Sequence, residues 1–340
     1  DRQSCGGAMF ITGAKLIYNQ QNMFIENFAD VAGALYVEHS QNITNINTSF
    51  CYNQARNTGA LKLHRVNFIT NIACKFRGNK ALYVFGVIKI YYCHVLHNIN
   101  CLFKENIGSR GSAFSTNSNK KVINIAVDFI ANIAVNSPHL GGDSGAVGLF
   151  FTHYATFCYC RFINNTITPR GGGIQFFSGK FVYVKKCAFV NNFSKTFGGG
   201  YSSSEVTKVI TESSIFIKNI AYMNGGGLHI DHSNFSKISF CIFKANLNAI
   251  NGSAMHVDQS NFVLSNNNIF MDNKAQEGGA IKFMHNTRVY ISSSSFKNNF
   301  GVRHGGGVFL YDNIQIQVNE IVFFDNSAKY GGSLLISNVK

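Results

Sequence analysis

The chain has 340 residues, of which 46% are apolar and only 14% are charged. This composition is that of a folded protein, because disordered chains have fewer apolar side chains and more charge. The formal net charge of +14 favours anionic partners such as acidic glycans or a cell surface. The basic residues are dispersed, without a recognition helix or zinc spacing, which argues against nucleic acid. No stretch approaches the roughly 20 apolar residues of a transmembrane helix.

A repeat of Phe-x-x-Asn runs through the whole chain at intervals of 26 or 27 residues, apart from one interval of 33. The long interval contains residues 136–143, which predict a loop inserted into a regular turn. The repeated phenylalanines are Phe24, Phe50, Phe76, Phe103, Phe129, Phe162, Phe189, Phe216, Phe243, Phe270, Phe296 and Phe323. The matching asparagines are Asn27, Asn53, Asn79, Asn106, Asn132, Asn165, Asn192, Asn219, Asn246, Asn273, Asn299 and Asn326.

A Gly-rich turn follows each repeat, and the segments between turns alternate polar and apolar residues as strands do. Leu228-His229-Ile230-Asp231 is one such segment. Short strands, Gly and Asn turns and no helical periodicity predict one rung of a β-solenoid. Parallel crossovers are almost always right-handed. The sequence therefore predicts an all-β, single-stranded right-handed parallel β-helix of about twelve rungs, a single domain over residues 1–340 that belongs to a longer chain or fibre.

Each repeated residue type has a physical role in such a coil. The Phe side chains are expected to stack from rung to rung inside it. Asn at a corner is expected to adopt left-handed backbone angles and to bond the Asn of the neighbouring rungs through its amide. Gly is expected at the second corner, where a Cβ has no room or φ is positive.

The pairing of Phe-x-x-Asn with turns such as Gly278-Gly279-Ala280-Ile281 resembles the repeats of the polymorphic outer-membrane proteins, autotransporter passengers of chlamydiae. Similar repeats occur in large surface proteins of some protists. The resemblance covers essentially the whole chain and implies a secreted or surface-displayed, adhesin-like protein. The richness in Phe, Ile, Asn and Cys favours a eukaryotic, protist-like relative over a bacterial one.

Five of the nine cysteines lie two residues before a repeated Phe and are therefore expected to face inward with it. Cys74 and Cys101 share a column on neighbouring rungs, as do Cys160 and Cys187. Stacked rungs place such Cα atoms about 4.8 Å apart, within the range of a disulfide. A reduced thiol that fills space in the core is the equal alternative. With nine cysteines, at least one thiol has no partner within the chain.

Six N-glycosylation sequons are present. One begins at Asn192, which belongs to the Asn column and is expected to be buried and unmodified. The other five sequons give the candidate acceptors. Four of them fall at predicted outward or turn positions, namely Asn47, Asn164, Asn234 and Asn251, and the fifth begins at Asn42.

An enzyme is the alternative function, because polysaccharide lyases and hydrolases also use right-handed β-helices. Such chemistry needs paired or clustered carboxylates, yet Asp and Glu total only 16. One constellation stands out, since His229 and Asp231 recur one rung later as His256 and Asp258. Strand parity predicts that all four face outward, as a weak candidate for a metal-binding or acid–base site. Simple duplication of one rung is the favoured explanation, and neither a metal nor a cofactor is expected.

The sequence favours an extracellular or cell-surface repeat protein, structural or adhesive, that forms an elongated and glycosylated rod or a filament component. Its expected partners are copies of itself, associating end to end or laterally, or anionic glycans. A polysaccharide-acting β-helix enzyme is the alternative.

Overall fold

The computed structural model describes residues 4–83, 86–135, 144–167, 170–248 and 250–338, although not the side chain of Asn248. The loop predicted at residues 136–143 lies outside these ranges. Every regular element in the described part is a β-strand, 46 in all, and parallel strands stack as a β-solenoid of about twelve turns. The chain divides into two compact units, residues 1–169 with 173–175 and residues 170–172 with 176–340. The single domain over residues 1–340 and the right hand of the coil stay predictions.

A full turn of the solenoid contains four strand positions. The first is occupied by Met9–Thr12, Leu35–Glu38, Leu61–His64, Ile88–Tyr91, Phe114–Asn117, Val147–Phe150, Leu228–Asp231, Met255–Asp258, Ile281–Met284, Val308–Tyr311 and Leu334–Ser337. The second is occupied by Leu16–Gln20, Asn42–Ile46, Phe68–Ile72, Val95–Ile99, Lys121–Ile125, Tyr154–Cys158, Phe235–Ser239, Phe262–Asn266, Arg288–Ser292 and Gln315–Asn319. Two long strands, Ile174–Lys185 and Tyr201–Glu212, run through both positions.

The third and fourth positions hold shorter strands. The third is occupied by Met23–Ile25, Ser49–Cys51, Lys75–Arg77, Leu102–Lys104, Asp128–Ile130, Arg161–Ile163, Ala188–Val190, Ile215–Ile217, Ile242–Lys244, Ile269–Met271, Ser295–Lys297 and Val322–Phe324. The fourth is occupied by Phe28–Ala29, Gln54–Ala55, Lys80–Ala81, Ile107–Gly108, Ile133–Ala134, Thr166–Ile167, Phe193–Ser194, Ile220–Ala221, Leu247–Asn248, Lys274–Glu277 and Phe300–His304.

The repeated phenylalanines fill the core of each unit, as predicted. Phe50 pairs in register with Phe76, and Phe216 with Phe243. The rings of Phe50 and Phe76 stack at 4.9 Å between centroids and 1° between planes, and those of Phe216 and Phe243 at 4.7 Å and 6°. All four side chains are completely buried. Each stacked pair adds about 1 kcal/mol to what burial alone contributes.

The repeated asparagines form the predicted ladder. Asn219 accepts hydrogen bonds from the backbone N–H and the side-chain Nδ2 of Asn192, at 3.0 Å each. Its own Nδ2 donates to Asn246 Oδ1 and to the Phe189 carbonyl, at 3.1 and 2.9 Å. The predicted left-handed backbone is wrong for these asparagines, because the preceding residue adopts it, as Asn191 (φ 53°) and Lys218 (φ 53°) show. The ladder Asn itself lies between the third and fourth strand positions, with its amide bonded to the Asn of the next turn.

A second asparagine ladder, which the sequence analysis missed, lies inside the first unit at the second strand position. Asn45 Nδ2 donates to Asn71 Oδ1 at 2.7 Å, and Asn71 Nδ2 to Asn98 Oδ1 at 2.8 Å. These asparagines are buried. Their amides satisfy one another, which removes the cost of burying them.

The Gly-rich corner requires glycine for two separate reasons, as predicted. Gly225 has φ +61°, a region that residues with a Cβ rarely adopt. The next residue, Gly226, has no such φ, but a Cβ there would collide with the carbonyl oxygens of Leu247 and Ser253.

Candidate functional site

The structure places the histidines of the predicted His–Asp patch in the interior rather than on the surface. His229 is 4% exposed and His256 is fully buried. Only Asp231 and Asp258 keep partly exposed side chains, at 23% and 25%. All four residues lie on the outward side of their strands, as strand parity predicts, but the two histidines are covered and not accessible at the surface.

Their burial results from a second layer of side chains. The histidines belong to an outer column of in-register residues at the first strand position: Ser202, His229, His256, Lys282 and Phe309. A covering column of in-register residues, just before the Gly corner, packs over it: Phe197, Asn224, Asn251, Glu277 and His304. The Phe197 ring stacks on His229 at 4.9 Å, and the His304 ring lies 5.2 Å from Phe309.

The two histidines contact each other directly. Their rings stack at 5.2 Å, and Nδ1 of His256 lies 3.2 Å from Nδ1 of His229. Burial lowers the pKa of His229, and burial together with the neighbouring His229 and Lys282 lowers the pKa of His256 well below its usual value. Both imidazoles are therefore neutral at pH 7.

The patch is poorly suited to catalysis. An acid or base must come within hydrogen-bond reach of its substrate, and no polysaccharide can touch the buried imidazoles of His229 and His256. Asp258 is instead held by His285, whose Nδ1 lies 2.8 Å from its Oδ1. Within the described residues, no group of three or more His, Cys, Asp and Glu side chains is arranged to hold a metal ion.

The candidate glycosylation sites differ in accessibility. Asn47, Asn164 and Asn234 are exposed, and Asn42 is half-buried in a strand. Asn251 is half-buried, and its Nδ2, the atom that carries a glycan, donates to Asn224 Oδ1 at 2.9 Å. A glycan on Asn251 would therefore disrupt the covering column. The ladder residue Asn192 is fully buried, as predicted.

Cys74 and Cys101 each lie against two backbone carbonyls. Cys74 Sγ donates to the carbonyls of Asn45 and Ile72 at 3.2 and 3.4 Å. Cys101 Sγ donates at 3.3 Å to the corresponding carbonyls one turn later. Cys160 belongs to the first unit and Cys187 to the second. Disulfides Cys74–Cys101 and Cys160–Cys187 stay predictions.

A second surface feature emerges only from the structure. Aromatic and basic side chains at the second strand position of the second unit form a line, here called the Phe235 strip: Phe181, Lys208, Phe235, Phe262 and Tyr290. Lys208 Nζ lies 5.7 Å from the ring of Phe181 and 5.5 Å from that of Phe235. The ring of Phe262 stacks on Phe235 at 5.3 Å and on Tyr290 at 5.1 Å. Lys208 is exposed, and the four rings are partly exposed.

The charge beside the strip is mainly positive. Arg288 is in register with Phe262, and Lys237 flanks Phe235 on the same strand. A neighbouring carboxylate, Glu212, accepts from Lys237 Nζ at 3.1 Å and from the Tyr183 hydroxyl at 3.0 Å. The recurrence of Phe235 and Phe262 one turn apart was a signal for this strip. The sequence alone did not place Lys208 in the strip, because its position beside Phe235 depends on the register of Tyr201–Glu212 with the next strand.

No protein-family model matches the chain, and no curated protein matches it. One solved structure is similar: PfbA, a surface adhesin of Streptococcus pneumoniae, with 13% sequence identity and a TM-score of 0.35. The match covers 96% of this chain and 85% of that one. At this TM-score the likeness carries no argument about function. Among the described residues, no helical segment has the length and hydropathy needed to traverse a bilayer.

Proposed function

We propose that this chain is an adhesive or structural repeat protein of the cell surface that binds acidic polysaccharide along the Phe235 strip. The observation that carries the proposal is the alternation of Lys208 with stacked, partly exposed rings on consecutive strands. Groups repeated along one line suit a linear polymer better than a compact ligand.

The stacking favours an anionic partner over a neutral sugar. The Phe235 and Phe262 planes differ by only 8°, so the rings cover each other's faces and present their edges to solvent. Ring edges carry the positive part of the aromatic quadrupole. Lys208 and Arg288 add full positive charges beside them, whereas the charge of Lys237 is offset by Glu212. Sulfates or carboxylates are therefore attracted, whereas the ring faces on which a neutral sugar would stack are occupied.

The test is binding of the purified chain to heparin, a sulfated glycan, and to neutral dextran. Heparin should bind and should be released as salt screens the charges. Lys208→Ala and Phe262→Ala should each weaken binding about tenfold, since central basic and aromatic contacts carry most of the energy of an interface.

Lys244→Ala is the matched control, because Lys244 is exposed on a third-position strand of the same unit, away from the strip. It removes the same charge and should change heparin binding little. Equal losses for Lys208→Ala and Lys244→Ala, or equal binding of dextran, would contradict the proposal.

A further inference from the structure

Lys282 forms a compact group with an amide and a carboxylate from the covering column. Its Nζ lies 2.9 Å from Asn251 Oδ1 and 2.6 Å from Glu277 Oε2. The Lys282 residue is only 6% exposed, and the Glu277 side chain is 23% exposed. An amine, a primary carboxamide and a carboxyl group in direct contact are the reactants and the acid–base catalyst of an amide-exchange reaction.

The fold presents this group rigidly. Asn251 and Glu277 are in-register neighbours on adjacent turns, with hydrogen bonds from the Glu277 N–H to the Ile250 carbonyl and from the Gly252 N–H to the Glu277 carbonyl, at 2.9 Å each. Both side chains therefore reach Lys282 from one side. Lys282 is itself fixed in Ile281–Met284 between strands on either side.

The partners of each group set its orientation. Asn251 Nδ2 donates to Asn224 Oδ1 at 2.9 Å, which turns the carboxamide so that its carbonyl faces Lys282. The other oxygen of Glu277, Oε1, lies 3.3 Å from His304 Nδ1. Because Oδ1 is one C=O bond from Cγ, Lys282 Nζ lies within about 4 Å of the Asn251 Cγ. Reacting atoms in near-attack geometry are about 3–3.5 Å apart.

The surroundings are largely shielded from water. The Phe309 ring centroid lies 5.2 Å from Lys282 Nζ, and Phe309 is 5% exposed. The fully buried His256 is in register with Lys282 on the opposite side. Burial alone would raise the pKa of Glu277, but the hydrogen bonds and charges of Lys282 and His304 hold that pKa below its usual value. The proton must therefore move along the 2.6 Å contact between Lys282 Nζ and Glu277 Oε2 before the amine can attack.

We propose that Lys282 and Asn251 become joined by an intramolecular isopeptide bond, with Glu277 as the proton shuttle. The ammonium of Lys282 gives a proton to the Glu277 carboxylate, and the neutral Nζ attacks Cγ of Asn251. The Nζ–Cγ bond forms, the Cγ–Nδ2 bond breaks, and Glu277 takes the second Nζ proton while its own proton leaves on ammonia. Nothing is oxidised or reduced, and Glu277 ends as the neutral acid. It becomes a carboxylate again when that proton passes to the departing ammonia, which leaves as ammonium.

The bond would clamp adjacent turns of the second unit. It closes a loop between two residues 31 apart in sequence, and such covalent loops stabilise mainly by restricting the unfolded chain. It also consumes Nδ2 of Asn251, so the sequon beginning there could carry no glycan.

The test is mass spectrometry of the intact, purified chain and of its proteolytic digest. The intact mass should lie one ammonia, about 17 Da, below the mass calculated from the sequence. Tandem spectra should show the peptide containing Asn251 joined to the peptide containing Lys282. An unchanged mass with both peptides separate would overturn the proposal. So would loss of ammonia confined to an unlinked Asn251 peptide, since cyclisation at Asn251-Gly252 releases ammonia too.

Variants separate the roles of the three residues. Lys282→Arg removes the nucleophile and Glu277→Gln removes the shuttle, so both should show the full calculated mass and lack the joined peptide. Lys237→Arg is the matched control, because Lys237 pairs with Glu212 at 3.1 Å and should keep the bond. Circular dichroism checks the fold of each variant. A joined peptide that persists in Glu277→Gln would overturn the role of Glu277.

Discussion

Nδ1 of His256 lies 3.2 Å from Nδ1 of His229, so a hydrogen bond between the two neutral rings requires one Nδ1 to donate and the other to accept. Nε2 of His229 lies 3.7 Å from the Asp231 carboxylate, which is beyond hydrogen-bond distance. Nε2 of His256 finds no hydrogen-bond partner among the described residues.

The histidine pair predicts a loss of stability in acid. Burial lowers the pKa of His229 and His256 in the folded state, so below a pH of about 6.5 the unfolded chain binds more protons than the folded one. The contribution of the pair is fully present above that pH and is lost as the pH falls further. The groups around the pair are Arg170, Asp231, His232, Asp258, Lys282 and His285.

Urea unfolding at pH 5 and pH 7.5 measures this effect. His256→Gln should narrow the difference in the free energy of unfolding between the two pH values. His94→Gln, which changes an exposed histidine, should leave the difference as it is. An equal pH dependence in wild type and His256→Gln would contradict the assignment.

The sequence predicts the inner columns of the solenoid but not the outer ones. The Phe and Asn columns are set by the period alone, because every turn places the same position at the same depth. The burial of His229 follows instead from Phe197, a residue of the preceding turn that leans over it. The alternation of residues along a strand shows which side chains face inward and which face outward. It does not show whether an outward-facing side chain is covered by a second layer.

Breaking the Asn ladder is predicted to be costly. Asn219→Ala removes the acceptor of the Asn192 N–H and the donor to the Phe189 carbonyl, both buried. Unsatisfied buried groups of this kind cost about 1–3 kcal/mol each, so the free energy of unfolding should fall by about 3 kcal/mol. Asn234→Ala, at an exposed position, should cost less than about 0.5 kcal/mol. Similar losses in both variants, measured by urea denaturation, would show that the ladder adds nothing specific.

Two phenylalanines of the same turn are predicted to differ strongly in their contribution to stability. Phe243 is fully buried between Phe216 and Phe270, with centroids at 4.7 and 5.0 Å. Phe243→Ala should destabilise the chain by about 3–5 kcal/mol. Phe240, three residues earlier, is 61% exposed. Phe240→Ala should be near neutral in the same thermal or urea unfolding experiment, and a cost like that of Phe243→Ala would refute the assignment of the core.

The cysteine column predicts that thiols act as hydrogen-bond donors. Cys101 Sγ donates to the Ile99 carbonyl two residues before it, and at the corresponding position Thr48 and Ser214 donate from hydroxyls to the carbonyls of Ile46 and Glu212. Cys101→Ser should therefore cost less stability than Cys101→Val, which fills the space but donates nothing, by about 1 kcal/mol.

Alkylation of the unfolded, unreduced chain then decides between thiol and disulfide. Cys74 and Cys101 are only 1% and 2% exposed, so an alkylating reagent cannot reach them while the chain is folded. Cys74 and Cys101 should take up the alkylating reagent only after unfolding, and without a reductant. Failure of both to react until a reductant is added would establish the disulfide and overturn the donor role, because an oxidised sulfur has no proton to donate.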